Sequence, residues 1–281
     1  MQARKLGQVA ALALMVKLQV LALSAGTINV FLVGGQSNAD GRDFKPDTVV
    51  PEELKKQENV PFYYNRKLDL SNTTSTSGTL IPLQPTIEAE NTIHFGPELS
   101  FGKAMADYYQ QKNESVAILK YSYGGTNLID HWKAGGTAGT EGDGGMYKGF
   151  QTIVGRGLTT LKEAHPGDTI VIKGMIWMQG EADADKENSA NQYEENLKRF
   201  IVDIRLTYGK DLPFVIGQVS QTALKQLETL RTAQANVARD VPLTGMVDTK
   251  GLTMKDALHF DGAGQIILGR KYAEEMQRLL K

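Results

Sequence analysis

Five stretches of this chain are apolar almost without interruption: Thr27–Val33, Ser115–Ser122, Thr169–Met178, Leu212–Val219 and Leu243–Val247. They are rich in Val and Ile, and too continuous to alternate between a wet and a dry face. That is the pattern of parallel strands buried on both sides. Between them the apolar residues recur at helical spacing. Pro97–Gln111 places Phe101, Ala104, Met105 and Tyr108 along one face, with Pro97 suited to a first turn. Phe150–Ala164, Asn191–Tyr208, Ala223–Ala238 and Gly264–Leu280 read the same way, and Gly209 can stop the second of these. Strands alternating with helices predict an α/β fold, a three-layer α/β/α sandwich around a doubly wound, mainly parallel five-stranded sheet.

The chain of 281 residues is long enough for one such domain. Its net charge of −1 gives no global field toward nucleic acid or anionic lipid. With no cysteine, disulfides, zinc-thiolate sites and cysteine nucleophiles are excluded, and four histidines bound any imidazole chemistry. At the start, Arg4 and Lys5 precede an apolar run interrupted by Lys17 and Gln19, and Ala22-Leu23-Ser24-Ala25 offers small residues for cleavage. Residues 1–25 therefore read as a removed secretory signal, with a secreted or periplasmic destination. The internal lysine disfavours a stable membrane span. Residues 26–281 then form a single domain. Two irregular regions, Asp43 to Glu90 and Ala134 to Gly145, follow strand ends; each either borders a cleft or is plain solvated loop.

Chemistry-bearing residues fall at strand ends. Gly34-Gly35-Gln36-Ser37-Asn38 follows the first strand, a tight turn that can present a serine at the carboxyl edge of the sheet. Asp256-Ala257-Leu258-His259 lies on the loop after the last strand. At that spacing one loop can offer an imidazole to a serine and a carboxylate to the other ring nitrogen. A serine hydroxyl needs such a base near neutral pH. Trp177-Met178-Gln179-Gly180-Glu181-Ala182-Asp183 ends the third strand: Gln179 is a candidate oxyanion donor, and Glu181 could orient the histidine or bind substrate. Tyr123-Gly124-Gly125-Thr126 ends the second, where glycines let the backbone approach a ligand and aim an N–H at it. With the Ser37 N–H, these make three donors for a tetrahedral intermediate.

These linked segments resemble the SGNH hydrolases, and among them the sialate O-acetylesterase and acetylxylan esterase branch. The matching blocks are Gly35 to Asn38, Gly124-Gly125-Thr126 with Trp132, Trp177 to Asp183, and Asp256 to His259. His94-Phe95-Gly96-Pro97-Glu98 resembles a further segment of that branch. The resemblance spans about Ile28 to the C-terminus and implies an SGNH (flavodoxin-like) fold. It implies Ser37 as nucleophile, His259 as base and Asp256 as its acid partner, with Glu181 a second candidate. It implies an oxyanion hole from the Ser37 backbone, Gly124 or Gly125, and Gln179. His94, Tyr123, Thr126 and Trp132 are candidate sugar contacts, with Trp132 equally readable as packing.

The expected function is a carbohydrate O-acetylesterase acting on acetylated oligo- or polysaccharide, with no metal, no cofactor and no nucleic-acid partner. The alternatives are a non-catalytic carbohydrate-binding protein on the same scaffold, or an SGNH esterase or thioesterase for other small acyl groups.

Overall fold

In the computed structural model the described residues are 25–41, 44, 48–65, 76, 78–87 and 92–281. The expected signal segment, and most of the polar run from Ser71 to Gly78, lie outside them. The strands are β1 (Thr27–Gly35), β2 (Gln57–Tyr64), β3 (Ile81–Leu83), β4 (Thr86–Ile87), β5 (Ile93–His94), β6 (Ser115–Ser122), β7 (Thr169–Met178), β8 (Phe214–Gln218) and β9 (Thr244–Asp248). The helices are α1 (Ser37–Asp40), α2 (Glu52–Lys55), α3 (Glu98–Gln110), α4 (Gly145–Ala164), α5 (Glu187–Tyr208), α6 (Leu227–Asp240) and α7 (Gly262–Leu279).

The main sheet has seven strands in the order β3-β2-β6-β1-β7-β8-β9, and β4 pairs with β5 in a small separate hairpin. All pairings in the main sheet are parallel except β2 with β3. The α/β architecture is as expected, but the sheet is two strands wider. Both additional strands come from the stretch read as irregular. In β2, the polar start Gln57-Glu58-Asn59 and the internal Pro61 hide the strand, since proline and polar residues count against one. Its second half is nevertheless buried and pairs with β6 through Phe62, Tyr63 and Tyr64.

The winding reverses at β1. From there the chain runs to β2 and β3 on one side, returns to β6 beside β1, and then crosses to β7, β8 and β9 on the other. The carboxyl ends of β1, β6 and β7 thus sit together at the switch point, where open α/β sheets bind ligands. The register brings Gly35 beside both Ser122 and Met178, the last residues of the flanking strands. Helices α3 and α7 pack against each other on one face; α5 and α6 pack together on the other, where α4 also lies against β6 and β2.

A buried ionic group sits beneath the end of β1. Lys120, fully buried in β6, pairs with Glu98 at 2.8 Å and donates to the Asp40 carbonyl at 2.7 Å. The Asp40 carboxylate accepts from the Tyr64 hydroxyl and lies 3.7 Å from His94 Nε2. This group braces α1 from below. Losing one partner of a buried ion pair leaves the other charge uncompensated. Lys120→Met should therefore cost about 3–5 kcal/mol in urea unfolding, and adding Glu98→Gln should return part of it.

Candidate active site

Ser37 opens α1 directly after β1. The Gln36 N–H donates to the Met178 carbonyl at 2.9 Å, which turns the chain sharply at the strand end. Gly35 makes the turn possible: its φ is +138°, and a Cβ there would stand 2.1 Å from the Met178 oxygen. Ser37 is 7% exposed, with its side chain reaching the surface of a cleft.

His259 approaches from the loop between β9 and α7. Its Nε2 stands 3.1 Å from Ser37 Oγ, and its Nδ1 is 2.9 Å from Asp256 Oδ2. A carboxylate only accepts, so Nδ1 carries the proton and Nε2 is left to accept from the serine. Partial burial pushes the Asp256 carboxyl up. Hydrogen bonds from the Leu258 N–H, the His259 ring and the His259 N–H outweigh that and leave it below the ordinary carboxylate range. The arrangement is therefore serine, imidazole and ionised carboxylate in line, which can deliver a nucleophilic alkoxide to a carbonyl.

Asn38, read from sequence as a turn residue, holds this alignment. Its Nδ2 donates to Glu181 Oε1 at 2.6 Å and to the Leu258 carbonyl at 2.9 Å, while its Oδ1 accepts from the Phe260 N–H at 3.0 Å. The residues on both sides of His259 are thus tied to the residue after Ser37. Glu181 is 5% exposed, and burial raises its pKa against the lowering effect of the Asn38 bond. Its direct hydrogen bond is to Asn38, whereas Asp256 contacts the imidazole.

The cleft has a volume of about 740 Å³. Ser37, His259, Asp256, Glu181, Gly124 and Gly125 all line it. Gly125 needs to be glycine because its φ is +72°. Five other expected site residues lie outside the cleft lining. Gln179 is fully buried, and its Nε2 donates to Asp183 Oδ2 at 2.6 Å and to the Thr126 carbonyl at 3.0 Å. Both amide hydrogens are committed, so it is not poised to donate to an oxyanion. Trp132 is fully buried against Tyr121, Phe150, Trp177 and Phe200, and its Nε1 donates to Thr126 Oγ1 at 2.8 Å. Thr126 is buried too, its hydroxyl shared between that indole and the Tyr123 carbonyl. His94 is 2% exposed and sits behind α1 beside Asp40. Tyr123 is exposed at the strand end next to Gly124, outside the cleft lining.

Asp183 is a further residue of this region. It accepts from the Leu128 and Ile129 N–H groups as well as from Gln179, clasping the loop after β6 to the end of β7. Burial raises its carboxyl to about 6 despite those three bonds.

A family model described as carbohydrate esterase, sialic acid-specific acetylesterase matches residues 27–278. The chain belongs to that family of carbohydrate esterases. It is 25% identical over 260 residues to a protein of Arabidopsis thaliana described as a probable carbohydrate esterase, covering 87% of this chain and 88% of the relative. The fold is shared with an Arabidopsis thaliana protein structure (TM-score 0.67, 22% identity, 91% of this chain and 99% of that one). NanS also shares it (TM-score 0.60, 15% identity, 91% and 98%). So does a carbohydrate acetylesterase from Xanthomonas citri (TM-score 0.56, 18% identity, 90% and 56%).

Asn38→Ala strands the buried Glu181 carboxylate and releases the loop around His259. It should lower stability by roughly 2–3 kcal/mol in urea unfolding and cut kcat on a chromogenic acetate by about 10–100-fold. Asp183 gives a separate test. Its folded-state pKa of about 6 lies above the ordinary 3.8. The folded protein therefore binds that proton more tightly, and this group's effect on stability becomes less favourable as pH rises between those values. Asp183→Asn should lose that pH dependence. The gap between wild type and variant should change by roughly 2–3 kcal/mol between pH 4 and pH 7 in urea titrations.

Proposed function

We propose that this chain is a serine carbohydrate O-acetylesterase of the SGNH type, hydrolysing acetyl esters on sugars of the xylan or sialate class. The observation that carries the proposal is the relay in the cleft, with Ser37 Oγ 3.1 Å from His259 Nε2 and His259 Nδ1 2.9 Å from Asp256. Membership of a carbohydrate esterase family supports a sugar ester as substrate. The basic and apolar start of the chain suggests a secretory route to polymeric or extracellular glycans.

The proposed reaction runs in two stages. His259 Nε2 takes the Ser37 proton as Oγ attacks the acetyl carbonyl. The tetrahedral intermediate collapses, and the sugar oxygen leaves with that proton from His259. Water then loses a proton to His259 and attacks acetyl-Ser37. Acetate departs, and the proton returns to Oγ. Asp256 stays ionised throughout and stabilises the imidazolium at each transfer. The Ser37 N–H and that of Gly124 or Gly125, all cleft residues, are the backbone donors proposed for the developing oxyanion. Gly124, Gly125 and Ala182 in the cleft lining leave room for an acetyl group, and Asp185 and Lys255 in the same lining suit a hydroxylated leaving group.

Hydrolysis of a small chromogenic acetate by wild type and by Ser37→Ala is the direct test. The variant should be slower by at least about 10⁴-fold, and equal rates would end the proposal in favour of a binding-only protein. Asp256→Asn should lose about 10²–10⁴-fold in kcat, and Glu181→Gln markedly less. The opposite ranking would move the acid role to Glu181. Acetate release from acetylated xylan against O-acetylated sialic acid separates the two sugar classes.

A further inference from the structure

Gln36 directly precedes the nucleophile and is 4% exposed, yet it lines the cleft with Ser37. Its main chain is fully engaged: the N–H donates to Met178, and the carbonyl accepts from Ala39 and Asp40. Its side-chain Oε1 accepts from the Ala182 N–H at 3.2 Å and stands 3.4 Å from Gln179 Nε2. A main-chain N–H can only donate, so the oxygen end of the Gln36 amide is fixed on that side. The Nε2 end is left without a partner among the described residues, on a side chain that the cleft reaches. A buried amide held in one orientation, with its donors turned to the reaction cleft, is preorganised in the way that stabilises developing charge.

We propose that the Gln36 side-chain amide, and not that of Gln179, is the side-chain donor to the oxyanion of the tetrahedral intermediate. The proposal rests on the serine-esterase reading above and adds a catalytic residue to it. Gln179 then has an indirect part. Its own hydrogens go to Asp183 and Thr126, and the first of these also brings Nε2 within reach of Gln36 Oε1. It positions Gln36, which touches the substrate.

Two substitutions separate donation from mere structure. Gln36→Ala removes the amide. Gln36→Glu keeps an oxygen for the Ala182 N–H but turns an acceptor toward the cleft. If Gln36 donates to the oxyanion, both variants should lose about 10²–10³-fold in kcat on a chromogenic acetate, with KM changed by less than about threefold, and Glu should be at least as severe as Ala. The inhibition constant of a small alkylboronic acid, which forms a tetrahedral adduct on Ser37, should rise in step with the fall in kcat/KM. A purely structural Gln36 predicts the reverse order, with Glu tolerated. Wild-type-like kcat and boronate affinity in Gln36→Glu would overturn the assignment. A wild type that neither hydrolyses acetates nor binds the boronate would instead overturn the esterase reading itself.

Discussion

The side chain of Asn38 joins parts of the chain that are 143, 220 and 222 residues apart in sequence, through Glu181, Leu258 and Phe260. Ser37 follows the first strand and His259 lies on the last loop, and the loop is partly solvent-exposed, so packing alone would leave it loose. An amide is suited to this place because it donates at one end and accepts at the other. It can therefore hold a carbonyl on one side of His259 and an N–H on the other. A carboxylate would repel Glu181 and could not satisfy the Leu258 oxygen. The main chain is tied as well: the Asn38 carbonyl accepts from Gln265 Nε2 in α7, so the helix that follows the loop is anchored to the same turn.

The turn after β7 divides its polar residues by direction. Gln179 and Asp183 face inward and hold the loop after β6 through Thr126, Leu128 and Ile129. Glu181 faces the cleft and Asn38. The Gln179 carbonyl is held in turn by the Tyr193 hydroxyl and Gln234 Nε2, from α5 and α6. The three strand ends at the switch point are thus linked to one another by side chains, in a region that no regular ladder reaches. Buried polar groups of this kind are costly when unmatched and specific when matched.

This division explains what could be read from the sequence and what could not. Strands β1, β6, β7, β8 and β9 were legible because each carries a nearly continuous apolar run. Ser37, Asp256 and His259 were legible because two of them share one short loop and the third follows a glycine turn. Strand β2 was hidden by Pro61 and its polar first turn. Trp132, Thr126 and His94 have the chemistry of sugar contacts, and only their three-dimensional surroundings reveal that they are interior. For Trp132 the decisive fact is that the indole N–H finds Thr126 Oγ1 inside the protein, so the ring can be fully buried at no polar cost. Gln36 and Gln179 are the same residue type at two strand ends, and no spacing rule tells which amide is already occupied. Lys120 interrupts the apolar run of β6, and only the fold shows that its partner is Glu98, at the end of the His94–Glu98 segment.

The two carboxylates near His259 differ in a way that bears on their roles. Where environments push two acids in opposite directions, their charge states diverge and so do the tasks they can perform. Asp256 is half-exposed and held below its ordinary range by three donors, one of them the imidazole itself. Glu181 is buried, and burial raises it. A partner that must remain anionic while the imidazole gains and loses charge is better supplied by the first. The second is shielded from water and bonded to Asn38, so its effect on His259 passes through the position of the loop. A buried anion in direct contact with the imidazole would strengthen the ion pair but also hold the proton on the ring. In the proposed reaction a partly solvated Asp256 would stabilise the imidazolium less strongly, and that would leave His259 able to return the proton to the leaving oxygen.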